Sequence, residues 1–276
     1  MRREPFPAQG VVIMVKKQES NNSGKKHSGA FTLIELLVVI AIIAVLMAIL
    51  MPALNRIKSQ AKDVKCRAIM KQWGLVWAMY TDDNDGKFPV YLGANWMRGL
   101  TEYYGDTEEL LYCPMTVRTH SEGADWPVAI IEGGGGQRYG SFAINEWIYD
   151  SGDTSGGRDL ASYWRSTGHK GLSNVPVMGD GVRRADAQPN EFDEPPEFNG
   201  QNRNGVNDAE IRLFCVDRHD SGTNILFMDW SYRHVGFKEL WTLKWHALCN
   251  TSGPWTKAGG VQPEDWPQWL RRYKDY

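Results

Sequence analysis

His219, Asp220 and Asp229 have the side chains best suited to proton transfer or metal binding, since imidazole and carboxylate groups both titrate and ligate. The six histidines form no HxxxH or HxH pair, and a histidine beside a turn aspartate reads as structural. Cys66, Cys113, Cys215 and Cys249 include no CxxC pair, which argues against a zinc ribbon or a thioredoxin-like centre. Outside the cytoplasm disulfides are allowed; a bridge among Cys113, Cys215 and Cys249 stays open, and the sequence does not choose the pair. Asp82, Asp83 and Asp85 crowd the stretch "YTDDNDGKFP", but Thr81 and Leu92 stand where an EF-hand needs its first ligand and its glutamate. That stretch reads as a solvated turn. With no GxSxG, GxxxxGKS or GxGxxG motif either, no catalytic residue, metal or cofactor is expected.

Glu35 poses a different question. It sits near the start of "GAFTLIELLVVIAIIAVLMAILMPAL", Gly29 to Leu54; from Phe31 to Met51 only it and Thr32 are polar. A helix of twenty-one residues spans roughly 30 Å, the thickness of a bilayer's hydrocarbon core. A buried core helix fits poorly, because a domain of this size rarely encloses one so long and apolar all round. A removable secretory signal wants a shorter run and an A-x-A-like cut. Lys16, Lys17, Lys25 and Lys26 precede the run, while Arg56, Lys58, Lys62, Lys65, Arg67 and Lys71 follow it. Charge alone therefore leaves the orientation undecided.

The whole run, "AFTLIELLVVIAIIAVLMAILMPAL", resembles the N-terminus of type IV pilin-like precursors, including the pseudopilins of type II secretion. The resemblance implies a prepilin peptidase that cuts between Ala30 and Phe31 on the cytoplasmic side and then N-methylates Phe31. Glu35 becomes the fifth mature residue, and Pro52 matches the proline that bends the family's long helix. The usual residue before the cut is glycine; here it is Ala30, with Gly29 one step earlier. Cleavage creates an ammonium four residues from Glu35, on the same helix face. A carboxylate in hydrocarbon costs about 2.5–3.5 kcal/mol, so Glu35 is expected to pair with that ammonium on its own or a neighbouring subunit. The neighbour version sets axial register in a filament. A shallow glutamate snorkelling to the interface is the plainer alternative.

Residues 1–30 read as a polar cytoplasmic leader, starting at Met1 or at Met14. Residues 31–51 read as a transmembrane helix, 52–80 as its amphipathic extension and 81–276 as an extracytoplasmic head. In the extension Ile57, Ala61, Val64 and Ala68, then Ile69, Trp73, Val76 and Tyr80, recur at helical spacing. The Asp-, Asn- and Gly-rich stretch before Pro89 ends the helix. "SFAINEWIY", "VPVMGDG" and "TNILFMDWSYRHV" are the strand candidates, the last a hairpin turning at Asp229 to Ser231; "KELWTLKWH" reads as a short helix. "GGGG" at 133–136 and residues 187–205 read as loops. The expected fold class is α+β, a long N-terminal helix packed against a head with an antiparallel sheet.

"RHDSGTNILFMDWS" resembles a second element of planctomycete-type pilin-like families: a histidine, nine residues, then Asp-Gly. His219 and Asp229 fit, and Trp230 replaces the glycine. The resemblance to pseudopilins, some of whose heads hold calcium, makes Asp180, Asp217 and Asp229 candidates for that ion. The chain carries a formal charge of −2, which argues against nucleic acid as a partner. Ten of its twelve tryptophans lie from Trp96 onward, in core packing or on a sugar-stacking surface. The function implied is a non-enzymatic pilin-like subunit of a type II secretion-like filament, spanning the bacterial inner membrane once with its head outside the cytoplasm. Its partners would be prepilin peptidase, other pilin-like subunits, the assembly platform and membrane lipid. A membrane-anchored, extracytoplasmic glycan-binding protein is the alternative.

Overall fold

The computed structural model describes residues 32–90, 96–105, 107–116, 128–131, 137–150, 159–182, 186–201 and 210–276. The apolar run and the basic segment after it form one helix, α1, Leu33–Asp83, 51 residues long with Pro52 inside it. Leucine, alanine, methionine and lysine favour this conformation, and no glycine interrupts it before Gly74. Asp85 and Gly86 then adopt φ of 55° and 75°, and the Gly86 amide donates to the Thr81 carbonyl at 2.7 Å, closing the helix as the Asp-, Asn- and Gly-rich stretch predicts.

The chain divides into two units, Met1–Pro52 and Ala53–Tyr276. In the first, every described residue is solvent-exposed, including all the apolar ones from Leu33 to Met51. This is the one helix among the described residues long and apolar enough to cross a membrane. In the second, α1 buries Cys66, Ile69, Met70, Trp73, Val76 and Trp77. The buried stripe is the later of the two expected series. Ile57 and Val64, from the earlier one, are 60% and 66% exposed.

Two short helices follow, α2 (Trp96–Gly99) and α3 (Thr101–Tyr104). The Trp96 and Tyr104 rings both lie 5.1 Å from Trp73, whose indole N–H donates to the Leu110 carbonyl at 2.7 Å. Strands β1 (Val128–Ile131) and β2 (Gln137–Gly140) make a separate antiparallel pair. The main sheet takes β3 (Phe142–Asn145), β4 (Pro176–Asp180), β5 (Asp186–Ala187), β6 (Gly222–Phe227) and β7 (Tyr232–Gly236), in the order β5-β3-β4-β6-β7. Four strands pair antiparallel as expected; β5 adds two residues in parallel beside β3. Strands β3, β4 and β6 are buried throughout, as strands covered on both faces must be. The stretch expected as a short helix is a 3₁₀ helix, Phe237–Thr242, and Glu146–Ile148 after β3 is another. The "GGGG" loop lies outside the described residues.

Most of the described tryptophans lie inside. Trp73, Trp77, Trp96, Trp241, Trp245 and Trp266 are among the largest fully buried side chains, and every described tryptophan is buried or half-buried. Trp230, Trp255 and Trp269 are the half-buried ones, and no described tryptophan is fully exposed.

Candidate functional site

At the start of α1, the Thr32 amide and hydroxyl both donate to Glu35 Oε2, at 2.8 and 2.9 Å, while the Glu35 amide donates to the Thr32 hydroxyl at 3.2 Å. Threonine at the N-cap and glutamate three residues on form a capping box, satisfying amides that the first helical turn leaves without partners. The expected ammonium partner of Glu35, on Phe31, and the Ala30–Phe31 bond lie outside the described residues. Capping does not use up the carboxylate, which has about four lone-pair sites. Pro52 stands within α1, where it has no amide to donate.

The head holds a second concentration of chemistry. Cys66 on α1, Cys113, Asp180 at the end of β4 and His219 bring four ligand atoms within 4.8 Å of one another, and all four residues are buried. His219 Nε2 lies 2.9 Å from Asp180 Oδ2 and 3.2 Å from Cys113 Sγ, and Cys66 Sγ lies 3.8 Å from Asp180 Oδ2. On the other side of the imidazole, Nδ1 lies 2.8 Å from Asp63 Oδ1, and Asp63 is in turn held by Arg67 at 2.7 Å. A carboxylate only accepts, so Nδ1 carries a proton. The Met115 amide donates to Cys113 Sγ at 3.4 Å and the Asn224 amide group to Cys66 Sγ at 3.6 Å. Arg218 faces Asp180 Oδ1 at 3.5 Å and donates to the Ser141 carbonyl at 3.2 Å.

Electrostatics within the cluster are strongly coupled. Burial opposes a charge on His219, but the Asp180 carboxylate outweighs it and pushes the imidazole up to about 10. Burial likewise opposes the Asp180 charge, yet His219 and Arg218 hold its carboxyl below the usual range. The Cys113 thiol loses acidity through burial and regains more from Cys66 and His219, so it sits below an ordinary thiol. Cys66 goes the other way, raised by its hydrogen bond with Cys113, by burial and by Asp180. Two sulfurs, an imidazole and a carboxylate side by side make a donor set of the kind that binds borderline-soft metals.

His219 lies in a bend before β6, not on a strand; Asp220 and Ser221 after it take φ of 53° and 77°. Asp220 is exposed. Asp229 is exposed at the hairpin turn, where it accepts from the Ser231 amide at 2.9 Å. Trp230 takes φ of 64°, the conformation the absent glycine would adopt. Asp217 accepts from the Ser221 amide and the Tyr273 hydroxyl, so the Asp180–Asp217–Asp229 calcium trio is divided among separate partners. Asp82, Asp83 and Asp85 are exposed around the turn. All four cysteines are free, with Cys113 beside Cys66 and not beside Cys215 or Cys249. Sequence reasoning missed Cys66, Cys113 and Asp63, because 114 residues separate Cys66 from Asp180 and 106 separate Cys113 from His219. The signal that was available is Cys66 standing three and seven positions before Ile69 and Trp73, on the buried face of α1. A smaller buried group joins Glu191, His246 and Cys249; Glu191 contacts His246 Nε2 at 3.1 Å and takes the Asn250 amide at 2.9 Å.

Residues 25–51 match the family model described as the prokaryotic N-terminal methylation motif. No curated protein and no solved structure matches the chain.

Proposed function

We propose, from an N-terminal methylation motif that indicates a type IV pilin-like precursor, that this protein is a pseudopilin-like subunit of a periplasmic filament of the type II secretion kind. A prepilin peptidase cuts between Ala30 and Phe31 and methylates Phe31. The exposed apolar helix from Leu33 to Met51 first anchors the subunit in the inner membrane, with the head outside the cytoplasm. During assembly, packing against other subunits' helices replaces lipid. Glu35 pairs with the Phe31 ammonium of a neighbour and sets the stagger, and Pro52 bends α1 where the helix leaves the hydrocarbon. The protein's role is structural; its chemistry is that of a substrate for the peptidase.

The observation that carries this reading is the matched motif over residues 25–51, with its lone carboxylate at Glu35. The test is the mass and N-terminus of the protein purified from its own membranes. The expected chain starts at N-methylated Phe31. A chain that keeps residues 14–30 in cells possessing the peptidase would overturn the assignment.

A further inference from the structure

We propose that Cys66, Cys113, Asp180 and His219 form a tetrahedral zinc site that ties helix α1 to the sheet of the head. The donor set supplies two sulfurs, one imidazole nitrogen and one carboxylate oxygen, each a common zinc ligand. Ligands bonded to zinc at about 2.0–2.3 Å stand roughly 3.3–3.8 Å apart in a tetrahedron. The spacings of 2.9, 3.2 and 3.8 Å lie within a few tenths of an ångström of that range, and with all four atoms inside 4.8 Å of one another no pair needs to close by more than about 1 Å.

The surroundings fit a metal better than they fit four independent side chains. Metal-binding histidines nearly always donate their second nitrogen to a carboxylate or carbonyl, and Asp63 occupies that place at 2.8 Å from Nδ1. Zinc would displace the Nε2 proton shared with Asp180, leaving the Nδ1 proton on Asp63 and the Nε2 lone pair for the ion. Each sulfur also receives an N–H donor, Met115 for Cys113 and Asn224 for Cys66, as thiolates prefer. Charge closes as well. Zinc with two thiolates and Asp180 leaves one negative charge, which Arg218 neutralises; outside it, Arg67 neutralises Asp63. A cleft of about 680 Å³ bordered by Arg56, Asp63, Met115 and His234 reaches His219 and gives the ion a route in from solvent.

Four bonds would gather segments that the chain order keeps far apart: the middle of α1, the stretch after the 3₁₀ helix Glu108–Leu111, the end of β4 and the bend before β6. With no open position among four protein ligands, the site is structural and not catalytic. The competing outcome is oxidation of the neighbouring thiols to a Cys66–Cys113 disulfide.

The experiment uses full-length protein extracted in detergent from zinc-replete cells, without reductant or chelator. The expected result is about one zinc per chain, four free thiols on alkylation in denaturant, and a lower melting temperature after chelation. Cobalt exchanged into the site should give thiolate charge-transfer and tetrahedral d–d bands. Asp63→Asn keeps all four ligands and should weaken zinc affinity about 10–100-fold. Cys66→Ser with Cys113→Ser should abolish zinc binding. Should that double variant fail to fold, Asp63→Asn still decides. Two thiols missing through a Cys66–Cys113 bridge, a chain without zinc, or unchanged affinity in Asp63→Asn would each overturn the proposal.

Discussion

At the scale of single residues, Glu35 has two jobs that a substitution can separate. It caps α1 through Thr32, and in the proposed filament it carries the charge that selects a neighbour's ammonium. Glutamine serves a capping box as glutamate does but bears no charge. Glu35→Gln should therefore insert and be processed normally yet fail to assemble, measured as cross-linked subunit ladders in membranes; full assembly would assign the residue to capping alone. Glu191 supports a pH prediction. Burial works against its charge, but the Asn250 amide and His246 outweigh that and lower its pKa. A carboxyl lowered in the fold contributes stability that is present above its unfolded pKa, about 4.3 for glutamate, and lost as pH falls through the folded value. Melting temperature should drop as the pH falls below about 4, and Glu191→Gln should flatten that part of the profile. Among the chemistry-bearing residues, Glu35 was conspicuous in the sequence because a carboxylate among aliphatics breaks a pattern. Its Thr32 partner follows the T-x-x-E signature that opens helices, which the membrane reading overshadowed. Cys66 and Cys113 were silent, since a site assembled by tertiary folding leaves no local spacing.

Elements were more legible than sites where one period ran long. The helix from Leu33 to Asp83 follows from composition and from the turn residues after it, and β4 and the β6–β7 hairpin follow from apolar runs bounded by Gly and Asp. What periodicity left open was the extent of the buried stripe. Ile57 and Val64 keep helical spacing with Ala61 and Ala68 but stay exposed, because periodicity shows that a stripe exists and not how far along it the head reaches. The hairpin also shows tertiary packing overriding a local preference. Trp230 holds a left-handed φ that costs a non-glycine residue roughly 1–2 kcal/mol, while its ring stands 6.3 Å from Phe88. Gly74 on α1 lets this turn come close, since a Cβ there would stand 3.1 Å from the Trp230 carbonyl. A sharper case is Gly222 at the start of β6, opposite Gly236 of β7. A Cβ at Gly222 would fall 2.2 Å from the Val235 carbonyl oxygen, which is backbone and cannot swing aside. Gly222→Ala should destabilise the head by about 1–3 kcal/mol, read from the urea midpoint. A midpoint unchanged within error would mean that the two strands separate without cost.

For the whole molecule, the division at Pro52 separates two kinds of stability. Unit 53–276 holds every buried residue of the described chain, including the aromatic core around Trp73 and Trp96 and the cluster at Cys66 and His219. Unit 1–52 buries none among its described residues, so its apolar side chains gain nothing from the monomer's own fold and must find lipid or other subunits. A chain beginning at Ala53 should therefore remain in solution after high-speed centrifugation and unfold in one cooperative transition. Its melting temperature should match that of the full-length protein in detergent to within a few degrees, since the deleted segment contributes no core contact. Cys66, Cys113, Asp180 and His219 all survive the deletion, so chelation should lower that transition in both chains alike. Full-length protein should partition into lipid vesicles and the shortened chain should not. A shortened chain that aggregates or melts without cooperativity would show that α1 before Ala53 stabilises the head, and the anchor could then no longer be treated as separate from the fold it carries.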